Sequence, residues 1–327
     1  MRWLAVLRLA VLLLSVGRVV VVADDGPAQR QCPATALTCS ADGQWLVTVG
    51  ESELCVHNAR SLAVVQRLIL PVPISCDVRF LSAVQLVVAG GTPGESGELI
   101  VLQASDAATL RLEMVQRLAA GSDVLSAAVR GTEGLVAGGF DRALYHGFTT
   151  GDGPRETIAA AHSKPITDVV ADATGKLLIS CGADSTIRVW DSGSMRQQRA
   201  LNNHARAVRG LALRPQQDAT ALPLLASAAD DRTVRFWQPT IGRMVRFKRL
   251  KSAATCVTWL DDGSNAVVGC RDGRVCFVDP VRLSLKQASV SHNGWISCVD
   301  SVPGSSDVIA AATDGTLRRI AATDARE

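Results

Sequence analysis

Five histidines, nine cysteines and one aspartate at an otherwise small-residue position are the side chains with chemistry to offer here. A metal-dependent hydrolase needs several His, Asp or Glu groups converging on one ion. His162, His204 and His292 instead stand four residues before apolar residues that open strands, Ile166, Val208 and Ile296. A repeated offset marks a repeated structural role rather than one converging site. His57 and His146 fall within strands and are read as structural too. No catalytic residue, metal ligand or cofactor is therefore expected. CxxC pairs and CxxCH are absent, which excludes a cysteine-paired zinc site and a covalently attached c-type haem. The run "GGTPGESG" at Gly90–Gly97 lacks the GK[ST] ending of a phosphate loop and reads as a long turn.

The elements that carry these residues repeat. The segments "AHSKPITDVVADATGKLLISCGADSTIRVWDSGS" from Ala161 and "NHARAVRGLALRPQQDATALPLLASAADDRTVRFWQPT" from Asn203 align over most of their length. Each reads as strand, turn, strand, tight Asp-containing turn, strand, with His162 and His204, Asp184 and Asp231, and Trp190 and Trp237 at matching offsets. Here the chain resembles the WD40-repeat family, whose Trp-Asp dipeptide appears once, at Trp190-Asp191. The resemblance implies a buried hydrogen-bond relay of His162, Ser180, Asp184 and Trp190, repeated as His204, Ser227, Asp231 and Trp237. Such a relay ties two loops together and gives a buried indole N–H an acceptor.

Weaker copies follow from the turn alone, a polar residue followed three places later by an apolar one. The turn residues Glu51, Ser96, Asp141, Asp184, Asp231, Asp272 and Asp314 are spaced 45, 45, 43, 47, 41 and 42 apart. Seven units of this length predict an all-β chain, a seven-bladed β-propeller with four-stranded antiparallel blades. In four units the Trp position holds His57, Gly147, Val278 or Ile320, and these blades are expected to be looser.

After the last strand pattern only "ATDARE" remains, so a strand from the N-terminus is expected to close the ring. The same region has the parts of an export signal: Arg2, the apolar run "LAVLLLSVG" and a small-residue cleavage point at Val21-Val22-Ala23. Arg8 and Arg18 keep the run short of the ~20 apolar residues that span a bilayer. The expected organisation is a signal peptide or anchor over 1–23 and a propeller over 24–327. An exported protein, periplasmic or secreted, is the favoured setting, with the cytoplasm as alternative. The resemblance extends to exported bacterial WD-repeat proteins.

Within such a ring Cys256 and Cys298 fit the small slot of the inner strand, filled elsewhere by Ala36, Ser126, Asp168 and Gly210; Cys76 falls there or one place away. Most cysteines are thus read as small buried hydrophobes. Cys270 and Cys276 face each other across a hairpin and are the first candidates for a bridge. Asp168 either binds a cation or a partner's Lys in the channel or hydrogen-bonds a neighbouring loop, the latter being favoured. On the outer strand "GRMVRFKRLK" the row Arg243, Arg246, Lys248, Arg249 and Lys251 is read as charge that blocks edge-to-edge pairing.

Three of the 34 basic residues lie in the first 23 positions, leaving 31 against 31 acidic ones. A neutral body argues against a nucleic-acid partner. The expected function is a non-catalytic scaffold that presents a propeller face to a protein or peptide, with a membrane involved only through an uncleaved N-terminal segment. The competing class is a lactonase-like hydrolase with its site at the channel mouth. In the WD40 family the docking face carries the His-bearing and Asp-bearing loops, which here means Phe140, Lys164, Arg206, Asp230, Arg271 and Trp295. Trp295, in "SHNGWIS", is the expected anchor, since Trp and Arg dominate interface energetics.

Overall fold

The computed structural model describes residues 33–148, 153–215, 221–288 and 291–326. The expected signal segment, its cleavage point and the closing strand all fall within 1–32 and lie outside the described residues. What is described is seven antiparallel sheets in chain order, six of four strands and a seventh of three among the described residues. Their inner strands are Ala36–Cys39, Ile74–Ser82, Leu125–Gly131, Ile166–Ala171, Val208–Leu213, Ala254–Trp259 and Ile296–Ser301. Each packs against the next, and Ile296–Ser301 returns to Ala36–Cys39, so the inner strands form a complete ring.

Composition explains the order of strands in a blade. Second strands such as Leu225–Ala229 ("LASAA") and Ala266–Cys270 ("AVVGC") are buried throughout. They are covered on both faces and so read as continuous apolar runs rather than alternating ones. Outer strands such as Arg243–Arg249 are largely exposed and charged. In that strand Arg243, Arg246 and Arg249 reach solvent, and Phe247 lies under the Arg235 guanidinium, 5.5 Å from the ring centre. The core sits between blades. Ile179 and Val189 of the fourth pack with Val208 and Trp237 of the fifth, and the ring of Phe236 of the fifth packs tilted, 5.8 Å between centres, against Trp259 of the sixth.

The tight turn has a fixed geometry in the five repeats whose turn residue is Asp. The residue after the turn Asp adopts positive φ: Arg142, Ser185, Arg232, Gly273 and Gly315. At Gly273 (φ 78°) a Cβ would also stand 2.0 Å from the His292 carbonyl oxygen, so only glycine fits that close approach. In the third blade the chain bulges at Gly147 (φ 76°), and Phe148 rather than Gly147 lies opposite Leu135, as Trp190 lies opposite Leu178. The expectation of glycine in the Trp place is corrected accordingly: the bulge advances the register by one residue.

Candidate docking face and the relay behind it

Both expected relays form. In the fourth blade Trp190 Nε1–H donates to Ser180 Oγ at 2.9 Å, and the Ser180 hydroxyl donates to His162 Nε2 at 2.8 Å. His162 Nδ1–H points at both Asp184 oxygens at 3.1 Å. The fifth blade repeats this through Trp237, Ser227, His204 and Asp231 at 2.9, 2.7 and 2.8 Å. The network assigns each imidazole as neutral with its proton on Nδ1, because Nε2 must accept from a serine. Burial lowers both imidazole pKa values despite the nearby carboxylates, in keeping with that assignment. Burial alone would raise the Asp184 carboxyl, but donors from Ser163 N–H, Thr186 and His162 hold it down to about 2. The Asp231 carboxyl is likewise held well below the usual range, burial being outweighed by His204, Thr233 and the Ala205 N–H.

Incomplete blades depart from this pattern in informative ways. In the first, His57 occupies the Trp place, opposite Leu46, and is not left idle. Its Nε2 accepts from Thr48 at 3.0 Å and its Nδ1–H donates to the Leu62 carbonyl at 3.2 Å, a shortened relay. In the seventh, Ala310 stands opposite Arg318 as Ser180 stands opposite Arg188 and Ser227 opposite Arg235. The serine is missing, and buried His292 keeps Thr316 on Nδ1 at 2.6 Å while its Nε2 has no partner among the described residues.

The relays hold the loops from which the candidate docking residues project. In an antiparallel meander, loops entering the inner strands and turns between second and third strands lie at one end of the blade. Trp295 precedes the seventh inner strand, and its backbone is fixed by Thr313, whose Oγ1 accepts the Trp295 N–H and whose N–H donates to the Trp295 carbonyl. Its indole is 52% exposed. Across the blade boundary the Arg271 guanidinium sits 4.8 Å from the ring centre and donates to Asp230 Oδ1 at 3.0 Å. Asp230 Oδ2 accepts from Arg209 Nε at 2.9 Å and Nη2 at 2.6 Å. Three expected residues, Trp295, Arg271 and Asp230, thus form one chain of contacts across blades seven, six and five. Arg209, which sequence reasoning missed, extends it to the channel wall. Phe140, Lys164 and Arg206 are exposed as expected, but among the described residues no hydrogen bond, ion pair or ring contact joins them to this chain of contacts.

Behind the face lies a channel cavity of about 450 Å³ lined by the small-slot residues Ala36, Ser126, Asp168, Gly210, Cys256 and Cys298. The second blade's slot is Asp77, since the register skips Cys76 as it skips Thr167 in the fourth blade. Asp168 resolves in favour of hydrogen bonding: its Oδ2 accepts the Leu211 N–H of the next inner strand at 2.8 Å, while Oδ1 takes Arg79 Nη2 at 2.7 Å. Asp77 binds Arg79 and the Ala128 N–H, and Asp300 Oδ2 accepts the Cys39 N–H. Three carboxylates therefore staple blades two to three, four to five and seven to one. Burial raises Asp168 and Asp300 to about 6, against the pull of Arg79 and of backbone donors. The eight described cysteines are all free, Cys270 and Cys276 included.

The family model described as "WD domain, G-beta repeat" (WD40) matches residues 155–191, 195–238 and 247–279. The chain is 27% identical over 122 residues to THO complex subunit 3 of Arabidopsis thaliana, covering 36% of this chain and 38% of that protein. It is 25% identical over 166 residues to human Pre-mRNA-processing factor 17, covering 49% and 28%. It is 26% identical over 110 residues to Eukaryotic translation initiation factor 3 subunit I of Neurospora crassa, covering 34% and 30%. The chain thus spans less than two-fifths of the length of each. These eukaryotic relatives, named for pre-mRNA processing and translation initiation, overturn the expectation of an exported chain and lend nothing to the resemblance to exported bacterial proteins. Repeat matches, relay geometry and ring agree: the chain is a seven-bladed β-propeller whose fourth, fifth and sixth blades match the WD40 repeat.

Proposed function

We propose that this chain is a non-catalytic interaction scaffold that docks a protein or peptide on the face carrying Trp295, Arg271 and Asp230. The observation that carries the reading is a half-exposed indole held in place before any partner arrives. Its backbone is pinned by Thr313, its ring is covered on one side by Arg271, and Arg271 is oriented by Asp230. An aromatic anchor beside an oriented Arg is the composition of an interface hot spot, and fixing it in advance reduces the entropy lost on binding. Two of the relatives are named as subunits of assemblies, which supports the same reading. The hydrolase alternative requires histidines free to serve a reaction, whereas His162 and His204 are committed on both ring nitrogens.

The test compares co-purifying proteins, quantified by mass spectrometry, for the native chain and three variants. Trp295→Ala and Arg271→Ala alter the face; Val281→Ser alters an exposed residue in the loop between third and fourth strands, at the other end of the blade. The reading expects a common set of proteins to be depleted by both face variants and retained by Val281→Ser. Equal recovery with all three variants would refute it.

A further inference from the structure

Cys270 ends the second strand of blade six and Cys276 lies in its third, on either side of the turn 271–274. The register places Val268 opposite Cys276, so Cys270, two residues on, shares its face of the sheet. Both thiols are buried, on neighbouring strands and diagonal to each other in that register. Both line a cavity of about 240 Å³ whose walls include Lys248, Arg249, Lys251 and Arg274, with a single carboxylate, Asp272. Exposed Arg249, Lys251 and Asp272 mark where it meets solvent. Two adjacent thiols at the end of a cationic recess can do what an isolated buried cysteine cannot, which is to form and resolve an oxidised sulfur.

We propose that Cys270 and Cys276 form a modification site, a dithiol that hydrogen peroxide converts reversibly to an intramolecular disulfide. The Cys276 thiolate attacks one peroxide oxygen, making an S–O bond and expelling hydroxide. Cys270 Sγ, giving its proton to water, then attacks the Cys276 sulfur, making the S–S bond and expelling a second hydroxide. Two thiols lose two electrons and two protons, and the peroxide leaves as two waters. The direction is set by the surroundings: the neighbouring Cys270 thiol, with Arg274 and Lys251, favours the Cys276 thiolate, while Cys270 is pushed up by its neighbour and by burial. A link between adjacent antiparallel strands departs from relaxed disulfide geometry and is correspondingly easy to reduce. The linked residues bracket Arg271, so oxidation constrains the turn that supports Trp295; this consequence alone rests on the docking reading.

The native protein is treated with hydrogen peroxide, its remaining thiols are alkylated, and it is digested with trypsin. Cleavage after Arg271 and Arg274 puts the two cysteines on separate peptides, so a bridge is read as a linked pair. The expected result is that pair, appearing with peroxide and lost with dithiothreitol. Recovery of both peptides alkylated while other cysteines oxidise would overturn the site, as would Cys276 bridged to a different cysteine. In Cys270→Ser, oxidation is expected to stop at a sulfenic acid on Cys276 that dimedone traps; the wild-type digest decides the question if this variant does not fold. Slower hydrogen exchange over 271–274 in the oxidised protein supports the coupling to Trp295. Unchanged exchange overturns that coupling and leaves the dithiol chemistry standing.

Discussion

Replacing Ser227 by Ala removes one buried oxygen and strands two neighbours. Ser227 is fully buried; its Oγ takes the Trp237 indole N–H at 2.9 Å and gives its own proton to His204 Nε2 at 2.7 Å. Both distances are those of sound hydrogen bonds, and neither partner has water to turn to. Leaving a buried donor or acceptor unpaired costs about 1–3 kcal/mol. Two such groups give an expected loss of about 2–6 kcal/mol in unfolding free energy, read by urea denaturation at neutral pH. The double variant Ser227→Ala/Trp237→Phe is expected to cost less than the sum of its single changes, because the indole N–H is no longer there to be stranded. A Ser227→Ala loss below about 0.5 kcal/mol, the size of an ordinary surface substitution, would refute the claim that the relay is an energetic lock.

Blade seven offers the converse experiment. Ala310→Ser is expected to give the unpartnered His292 Nε2 a donor and to stabilise the protein by about 1 kcal/mol in the same assay. Arg79→Met leaves Asp77 and Asp168 without their shared cation; about 3 kcal/mol is expected, the low end for a broken buried pair because the channel admits water. The acid behaviour has two opposite parts. Asp168 and Asp300 titrate near 6 in the fold, above the unfolded value of 3.8, so the fold holds more protons between those values and their contribution declines as pH rises through that window. Asp184, held at about 2, stabilises above 3.8 and loses its contribution as pH falls toward 2. Asp300→Asn is therefore expected to gain stability relative to the native chain as pH rises from 4 to 7, and Asp184→Asn to lose it as pH rises from 2 to 4; pH-dependent thermal melts read both signs.

The parts legible in the sequence are those where one blade's geometry depends on its own residues. A His, a Ser, a turn Asp and a Trp at fixed offsets define a relay within one sheet, and both full sets formed as expected. His57 was legible as the occupant of a Trp place, but its acceptor, the Leu62 carbonyl, depends on a loop path that residue types do not report. Phe148 was missed because a bulge shifts register without changing composition. The channel staples of Asp77, Asp168 and Asp300 join neighbouring inner strands, from Asp77 to Ala128 for instance, and no local pattern signals such contacts. The contacts around Trp295 show the same division. Trp295, Arg271 and Asp230 were each identified from loop position, while their mutual contact and the role of Arg209 depend on how three blades sit side by side.

The central claim is that the Trp295 face is where this propeller meets another protein. The most direct measurement places a photoactivatable cross-linking residue at position 295 of the full-length chain in its native cells, and separately at Val281 at the other end of the blades. After illumination, the account expects discrete cross-linked protein species from position 295 and not from 281, and their loss when Arg271→Ala is added. Position 295 yielding only uncross-linked chain, or the same species as position 281, would contradict it.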